Sequence, residues 1–274
     1  MKIALVQTRC HEDVKANIEH AVDLMDKAHT LGAKLICFPL LQFYKFFPMY
    51  PRQEQPFCHA EAINGSTVQV FIKKAAALSM VVILNIFERF NDEFYNTSVV
   101  IDDDGKLLGG SRMVHICNDG LFYNKDYYTP SNSNFRVFHT GAGKIGIING
   151  FDMHFSEAAR ILAINDAQVI VIPSAHINTQ PLDIYEAEIK AMAFQNCVYV
   201  AMVNRVGQED KMDFAGQSIM VDPDGQVIKK GDDSESIIVA DIDFTQINSI
   251  RQKRPYLKLR RPDEYFNIIK LSVD

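Results

Sequence analysis

Asn96-Thr97-Ser98-Val99-Val100-Ile101-Asp102-Asp103-Asp104-Gly105-Lys106-Leu107-Leu108 has a counterpart in the second half of the chain, Gly216-Gln217-Ser218-Ile219-Met220-Val221-Asp222-Pro223-Asp224-Gly225-Gln226-Val227-Ile228. Each stretch reads as a β-branched strand, a D-x-D-G turn and a return strand, which is a hairpin. Strand–helix–strand patterns recur in step with it, around Lys2 to Phe38 and again around Lys144 to Ile172. In the first of these, Ile3 to Val6 predicts a buried strand. Ile18, Val22 and Met25 share one face of a helix predicted over 13–31, and Gly32 stops it. Leu35 to Phe38 predicts a second buried strand, ended by Pro39. Gly65-Ser66 then opens a helix that runs to Leu78 and leads into a strand from Met80 to Phe87. This rhythm implies βαβ units and an α/β fold. Two related βαβ-plus-hairpin halves predict two sheets packed face to face with helices outside, although D-x-D-G turns are common enough to recur by chance. The least regular stretch, Phe43 to Asn64, is rich in aromatics, Pro and Gln. A loop of that length is either functional or a surface excursion packed by its own rings.

Composition narrows the function. With 274 residues, 47% hydrophobic and 23% charged, the chain can bury a large core. A net charge of −6 argues against nucleic acid and anionic membranes as partners. The one basic cluster, Arg251-Gln252-Lys253-Arg254 with Lys258, Arg260 and Arg261 beyond it, reads as a solvated tail. Cys10, Cys37, Cys58, Cys117 and Cys197 show no C-x-x-C spacing, so neither a disulfide framework nor a zinc site is expected, and a reducing cytoplasm is. The opening apolar run is too short for a signal peptide, and no run approaches the ~18 residues of a membrane span. No Gly/Ser or Pro-rich linker divides the chain. One domain over 1–274 is expected, with a tail from about 254.

Several segments, in order, carry a resemblance. They are Leu35-Ile36-Cys37-Phe38-Pro39-Leu40-Leu41; Phe87-Glu88-Arg89 with Tyr95-Asn96-Thr97; Ser111-Arg112-Met113-Val114-His115-Ile116; Phe122-Tyr123-Asn124-Lys125 with Tyr128-Thr129-Pro130; and Ile147-Ile148-Asn149-Gly150-Phe151-Asp152-Met153-His154-Phe155-Ser156-Glu157. Val203-Asn204-Arg205-Val206-Gly207, Gly216-Gln217-Ser218 and the run from Arg254-Pro255-Tyr256-Leu257 to Arg260-Arg261-Pro262-Asp263 complete the set. Together they resemble the carbon–nitrogen hydrolases of the nitrilase superfamily, nearest to the N-carbamoylputrescine amidase type. The resemblance implies a four-layer α-β-β-α sandwich with two pseudo-symmetric halves. It also implies a homodimer or higher homo-oligomer with the tail at the contact, and no cofactor or metal.

In that family a thiol attacks the amide or nitrile carbon, a carboxylate handles protons and a lysine stabilises the oxyanion, with a second glutamate assisting. The matching positions here are Gly150, Leu40, Met113 and Asn124, and none of these side chains can do that chemistry. Loss of one such group lowers rates by factors of about 10⁴–10⁶ in related systems. The expectation is therefore a chain that has lost amide, carbamoyl and nitrile hydrolysis and keeps a ligand-binding, scaffolding or modulatory role. A small amide- or amine-bearing molecule would be its ligand. The alternative is an active carbon–nitrogen hydrolase with a relocated nucleophile or altered chemistry. Cys117 or Cys10 could serve, or Ser174-Ala175-His176 with Asp152. His115, Phe151, Asp152, Phe155, Glu157 and His176 are expected in or behind the pocket. Asp152 and Glu157 would hold the loop at the helix N-terminus, and His115 would orient it. A metal site from His115, His154 and His176 lacks the spacing.

Overall fold

Asp13 accepts hydrogen bonds from the backbone N–H groups of Lys15 and Ala16 (2.8 and 3.4 Å). It thereby caps α1 (Val14–Thr30). The computed structural model, which describes residues 1–270, buries Asn17, Ala21, Leu24, Met25 and Ala28 of this helix. Ile18 and Val22 lie half-buried at the edge of the stripe. The stripe turns toward Asn17 because its side-chain amide donates to the carbonyls of His11 and Phe43 (2.8 and 3.0 Å). A polar side chain with both bonds made can replace an apolar one inside.

The first sheet runs in the order β14 (Ser236–Asp241), β1 (Lys2–Gln7), β2 (Ala33–Cys37), β3 (Val81–Phe90), β4 (Glu93–Ile101), β5 (Leu107–Arg112). The second runs β6 (Val137–Thr140), β7 (Gly143–Ile147), β8 (Val169–Pro173), β9 (Tyr199–Val203), β12 (Ile219–Val221), β13 (Val227–Lys230). A separate ribbon pairs β10 (Val206–Glu209) with β11 (Met212–Ala215). Both sheets show the same succession of pairings: antiparallel, parallel, parallel, antiparallel, antiparallel. The two D-x-D-G hairpins are β4–β5 and β12–β13, at matching places. Parallel neighbours need a crossover. Here α1 and α2 (Ser66–Leu78) supply it in one half, and α3 (Ser156–Ile164) and α4 (Leu182–Asn196) in the other. A last helix, α5 (Thr245–Lys253), follows β14.

Three apolar clusters define the layers. Leu5, Leu35 and Ile83 of the first sheet meet Ile145, Val171 and Ala201 of the second. On its outer face the first sheet packs Ala4, Ile36 and Leu84 against Met25 and Phe71. The second packs Ile170 and Val200 against Leu162 and Ile189. This is the expected α-β-β-α sandwich. The long loop after β2 is an aromatic packing unit: Phe47 lies 4.9 Å from Tyr127 and 5.0 Å from Phe87 between ring centroids, and Phe57 lies 4.7 Å from Phe94. Among the described residues no helix is long and apolar enough to cross a membrane.

At one end of the sandwich the apolar contact between the sheets gives way to a polar one. Fully buried Asn85 of β3 accepts from Leu41 N–H (2.9 Å). It donates to Asn96 Oδ1 and Ser98 Oγ of β4 (2.8 and 3.2 Å). Ser98 then donates across to Asn149, which follows β7 in the other sheet. In the second half, Asn204 follows β9 and accepts from His176 N–H (2.7 Å). Its own N–H donates to Ser218 Oγ (2.9 Å). Ser218 N–H donates across to Gln7 of β1 (2.8 Å). The duplicated halves thus carry a duplicated polar clamp, with Ser98 and Ser218 at equivalent points of the two hairpins. Ser98→Ala and Ser218→Ala should each strand a buried partner and cost about 1–3 kcal/mol. Urea unfolding should show a loss for both variants, the larger for Ser98→Ala, whose side chain also makes the bond to the other sheet, whereas Ser218 reaches Gln7 through its backbone; a negligible loss at either site would contradict these buried bonds.

Candidate active site

Leu40 follows β2, Gly150 follows β7, and Ala175 and His176 follow β8, all at carboxyl ends of parallel strands, where α/β sheets place ligands. With Met113, which follows β5, they line a cleft of about 580 Å³ counting its open mouth. The backbone joins these loops directly. Leu40 N–H donates to Ser174 O (3.3 Å), and Met113 N–H donates to Asn96 O (2.9 Å).

Leu40 and Met113 are buried and touch the space in front of Gly150. A Cβ added at Gly150 would lie 2.8 Å from Leu40 Cδ1 and 3.4 Å from Met113 Cε. The backbone there has φ +44°, a left-handed conformation that favours glycine. Leu41 is also left-handed, at φ +49°. Such strain persists only where neighbours over-determine it, and here Asn85 and Arg205 do. Arg205 is buried and donates to the carbonyls of Leu40, Leu41 and Tyr44 (2.9, 2.7 and 3.2 Å) and to Glu209. Glu209 in turn accepts from Phe46 N–H (2.9 Å). A charge can sit here because every donor of the fork has an acceptor.

Asp152 is buried behind the cleft. It accepts from Val114 N–H (3.0 Å), His115 N–H (2.7 Å) and the His115 ring (2.7 Å). His115 stacks flat on Phe155, with centroids 3.5 Å apart. Asp152, His115 and Phe155 therefore fix the segment carrying Met113 without lining the cleft. Phe151 and His176 do line it. Glu157 is exposed in the first turn of α3, paired only with Ser156 Oγ (3.3 Å) among the described residues, and does not reach the cleft. Asn124 lines the cleft with its side chain unpartnered among the described residues.

The relocated nucleophiles fare differently. Ser174, His176 and Asp152 do not form a triad, since Asp152 is bonded to His115 and Ser174 Oγ is buried without a partner. Cys10 sits beside Arg205 and Glu209, and burial pushes its thiol up to about 11. Cys117 does line the cleft. Its thiol is raised by burial and then by Asp119, which disfavours the nucleophilic thiolate.

Tyr185 on the cleft wall and Glu188 behind it escaped the sequence reading, as did Phe46, Asn96, Asp119, Phe122 and Gln180 on the wall. His154 lines the cleft and its Nδ1 lies 2.8 Å from Glu188 Oε2 of α4. The Tyr185 ring touches His154 (4.8 Å) and His176 (4.9 Å). Leu182 to Asn196 is a helix of weak amphipathicity, and only the one-turn spacing of Tyr185 and Glu188 placed them on a common face. His176 is held neutral: burial, and then the nearby His154, push it down to about 3. Among the described residues no Lys or Arg lines the cleft, and Asp119 is the one carboxylate that does.

The carbon–nitrogen hydrolase family model matches residues 2–252. The chain belongs to that family. It is 31% identical to the N-carbamoylputrescine amidase of Arabidopsis thaliana, over 96% of this chain and 93% of that protein. It is 32% identical to the mouse (Mus musculus) omega-amidase NIT2, over 96% of each. The carbon–nitrogen hydrolase of Helicobacter pylori G27 superposes with a TM-score of 0.91 at 27% identity, covering 100% of this chain and 99% of that one. These likenesses correct the expectation that hydrolysis has been lost in favour of ligand binding, scaffolding or modulation. Relatives matched nearly end to end are named as amidases, which supports the carbon–nitrogen hydrolase alternative. The expectation rested on the side chains at four positions alone, and a linear reading could not place His154 against Glu188.

The depressed titration of His176 has a measurable consequence. Between its ordinary 6.5 and about 3, the unfolded chain binds a proton that the folded one refuses. Stability must then fall as pH drops through that window. Thermal midpoints at pH 7 and pH 4.5 should fall further for the parent than for His176→Phe; equal falls would contradict a buried neutral ring.

Proposed function

We propose that the chain hydrolyses the carbon–nitrogen bond of an uncharged amide or carbamoyl group on a small compound by direct attack of water, without a covalent thioester. The single observation that carries this reading is the His154–Glu188 pair on the cleft wall (2.8 Å). Family membership supports the reaction class. Leu40, Met113, Gly150 and Asn124 stand, on this reading, where the family keeps its carboxylate, lysine, cysteine and accessory glutamate, so the covalent route lacks its parts.

Glu188 on Nδ1 fixes the ring so that Nε2 of His154 serves as base. Water attacks the carbonyl carbon as its proton passes to Nε2. That proton then goes to the leaving nitrogen as the C–N bond breaks, giving ammonia or an amine and the acid. A positioned base supplies about 10²–10⁴-fold, so turnover is slow beside a full thiol mechanism.

The ligand we infer is amide- or amine-bearing, and the lack of Lys or Arg among the described residues that line the cleft supports that. We also infer a homodimer or higher homo-oligomer with the tail at the contact. Leu259, Phe266, Ile268 and Ile269 are 60–76% exposed there, more apolar surface than a solvated tail requires. Five free cysteines support a reducing compartment, the cytoplasm.

Ammonia release from a panel of small primary amides and carbamoylated amines tests the reaction. His154→Asn should lower the rate by about 10²-fold or more, Glu188→Gln by less, and Cys117→Ser should match the parent. A parent rate equal to buffer, or His154→Asn as fast as the parent, would overturn the proposal.

A further inference from the structure

We propose that His176 is the anchor of the cleft, its ring N–H receiving the carbonyl oxygen of an uncharged amide or carbamoyl group. The inference rests on the reading of the cleft as a site for carbon–nitrogen substrates, but not on turnover.

The ring is 7% exposed and lines the cleft, yet neither of its nitrogens has a hydrogen-bond partner among the described residues. A buried imidazole with nothing to bond is destabilising, and a phenyl ring would fill the same space without that cost. The backbone that carries it is nonetheless tightly set. Asn204 accepts from His176 N–H (2.7 Å) and donates to His176 O (3.1 Å), and Ala215 N–H donates to the same carbonyl (2.9 Å). A polar ring on a fixed backbone, packed on Tyr185 and left unpartnered, is suited to a visiting group.

The chemistry of that group follows from the ring. Nδ1 is sealed from solvent. A sealed N–H is rarer and costlier than a sealed lone pair, so the proton belongs on Nε2, which makes the accessible nitrogen a donor. The ring stays neutral because burial and His154 oppose a second proton. A neutral donor suits a carbonyl oxygen and offers a carboxylate no ion pair. The rest of the cleft agrees, since Asp119 repels anions and no Lys or Arg lines the wall among the described residues. Tyr185, in contact with both His176 and His154, places a carbonyl held at one ring beside the base at the other.

Butyramide and its anionic isostere butyrate are the probes, titrated into the full chain and followed through the ¹⁵N–¹H signals of the histidine rings. Butyramide should shift the His176 signals saturably, and butyrate should not. His176→Phe should weaken butyramide about tenfold or more, the loss of one hydrogen bond, while leaving the thermal midpoint at pH 7 level or raised. His176→Gln, which restores a donor, should recover part of the affinity. Unchanged butyramide affinity in His176→Phe, equal affinity for butyrate, or no saturable butyramide binding by the parent would each overturn the assignment. Butyramide binding at His176 with no ammonia release from any member of the amide and carbamoyl panel would instead remove the hydrolytic proposal and leave the anchor standing.

Discussion

A side-chain amide buried between two sheets must find all its hydrogen bonds inside the protein, and where it finds them fixes the backbone around it. Asn85 and Asn204 meet this constraint in parallel. The first holds the loop after β2 through Leu41, and the second holds the loop after β8 through both backbone groups of His176. Ser98 and Ser218 extend each contact to the opposite sheet. Without these bonds the two sheets would still stack through their apolar faces, but the loops would lose much of what sets the height of one against another. The cleft exists at that end because polar pairing there replaces close apolar packing. Leu40, Met113, Gly150 and His176 all sit on backbone that this network or its neighbours hold.

The chemistry available in the cleft follows from its charge. Leu40 and Met113 present hydrocarbon and a thioether, and the left-handed backbone at Gly150 leaves no side chain between them. The ions that remain nearby are spent on structure: Arg205 and Glu209 hold the β2 loop, and Asp152 holds His115. The proton-accepting group left facing the cleft with a carboxylate behind it is His154. General-base hydrolysis of a neutral substrate asks for little more than this, whereas thiol chemistry asks for an ion pair that an apolar floor would not tolerate.

Much of the architecture was legible in the sequence because it is written in local patterns. The two D-x-D-G hairpins became β4–β5 and β12–β13, and the apolar runs became the parallel strands. Gly32 and Gly65 marked helix ends as their backbone chemistry dictates. The buried stripe of α1 was less legible, because Asn17 earns its interior place from carbonyls of a distant loop. The site was legible only in part. Leu40, Met113, Gly150 and Asn124 fall on one cleft, as a shared pocket requires. Glu157 does not, since a first-turn carboxylate on an exposed helix face is satisfied by water and the helix dipole. Tyr185 and Glu188 were hidden because no local signal ties a surface turn of α4 to a ring more than thirty residues earlier (|i−j| = 34). The orphaned ring of His176 was hidden for the opposite reason: the absence of a hydrogen bond leaves no mark in a sequence.

The central claim, water attack in a cleft without a thiol nucleophile, is tested most directly by intact-mass spectrometry of the protein quenched during turnover of a small amide. The account predicts that ammonia accumulates while the protein keeps its unmodified mass at every time point. An acyl adduct that appears and decays with turnover, mapped to Cys117 or any other side chain, would contradict it.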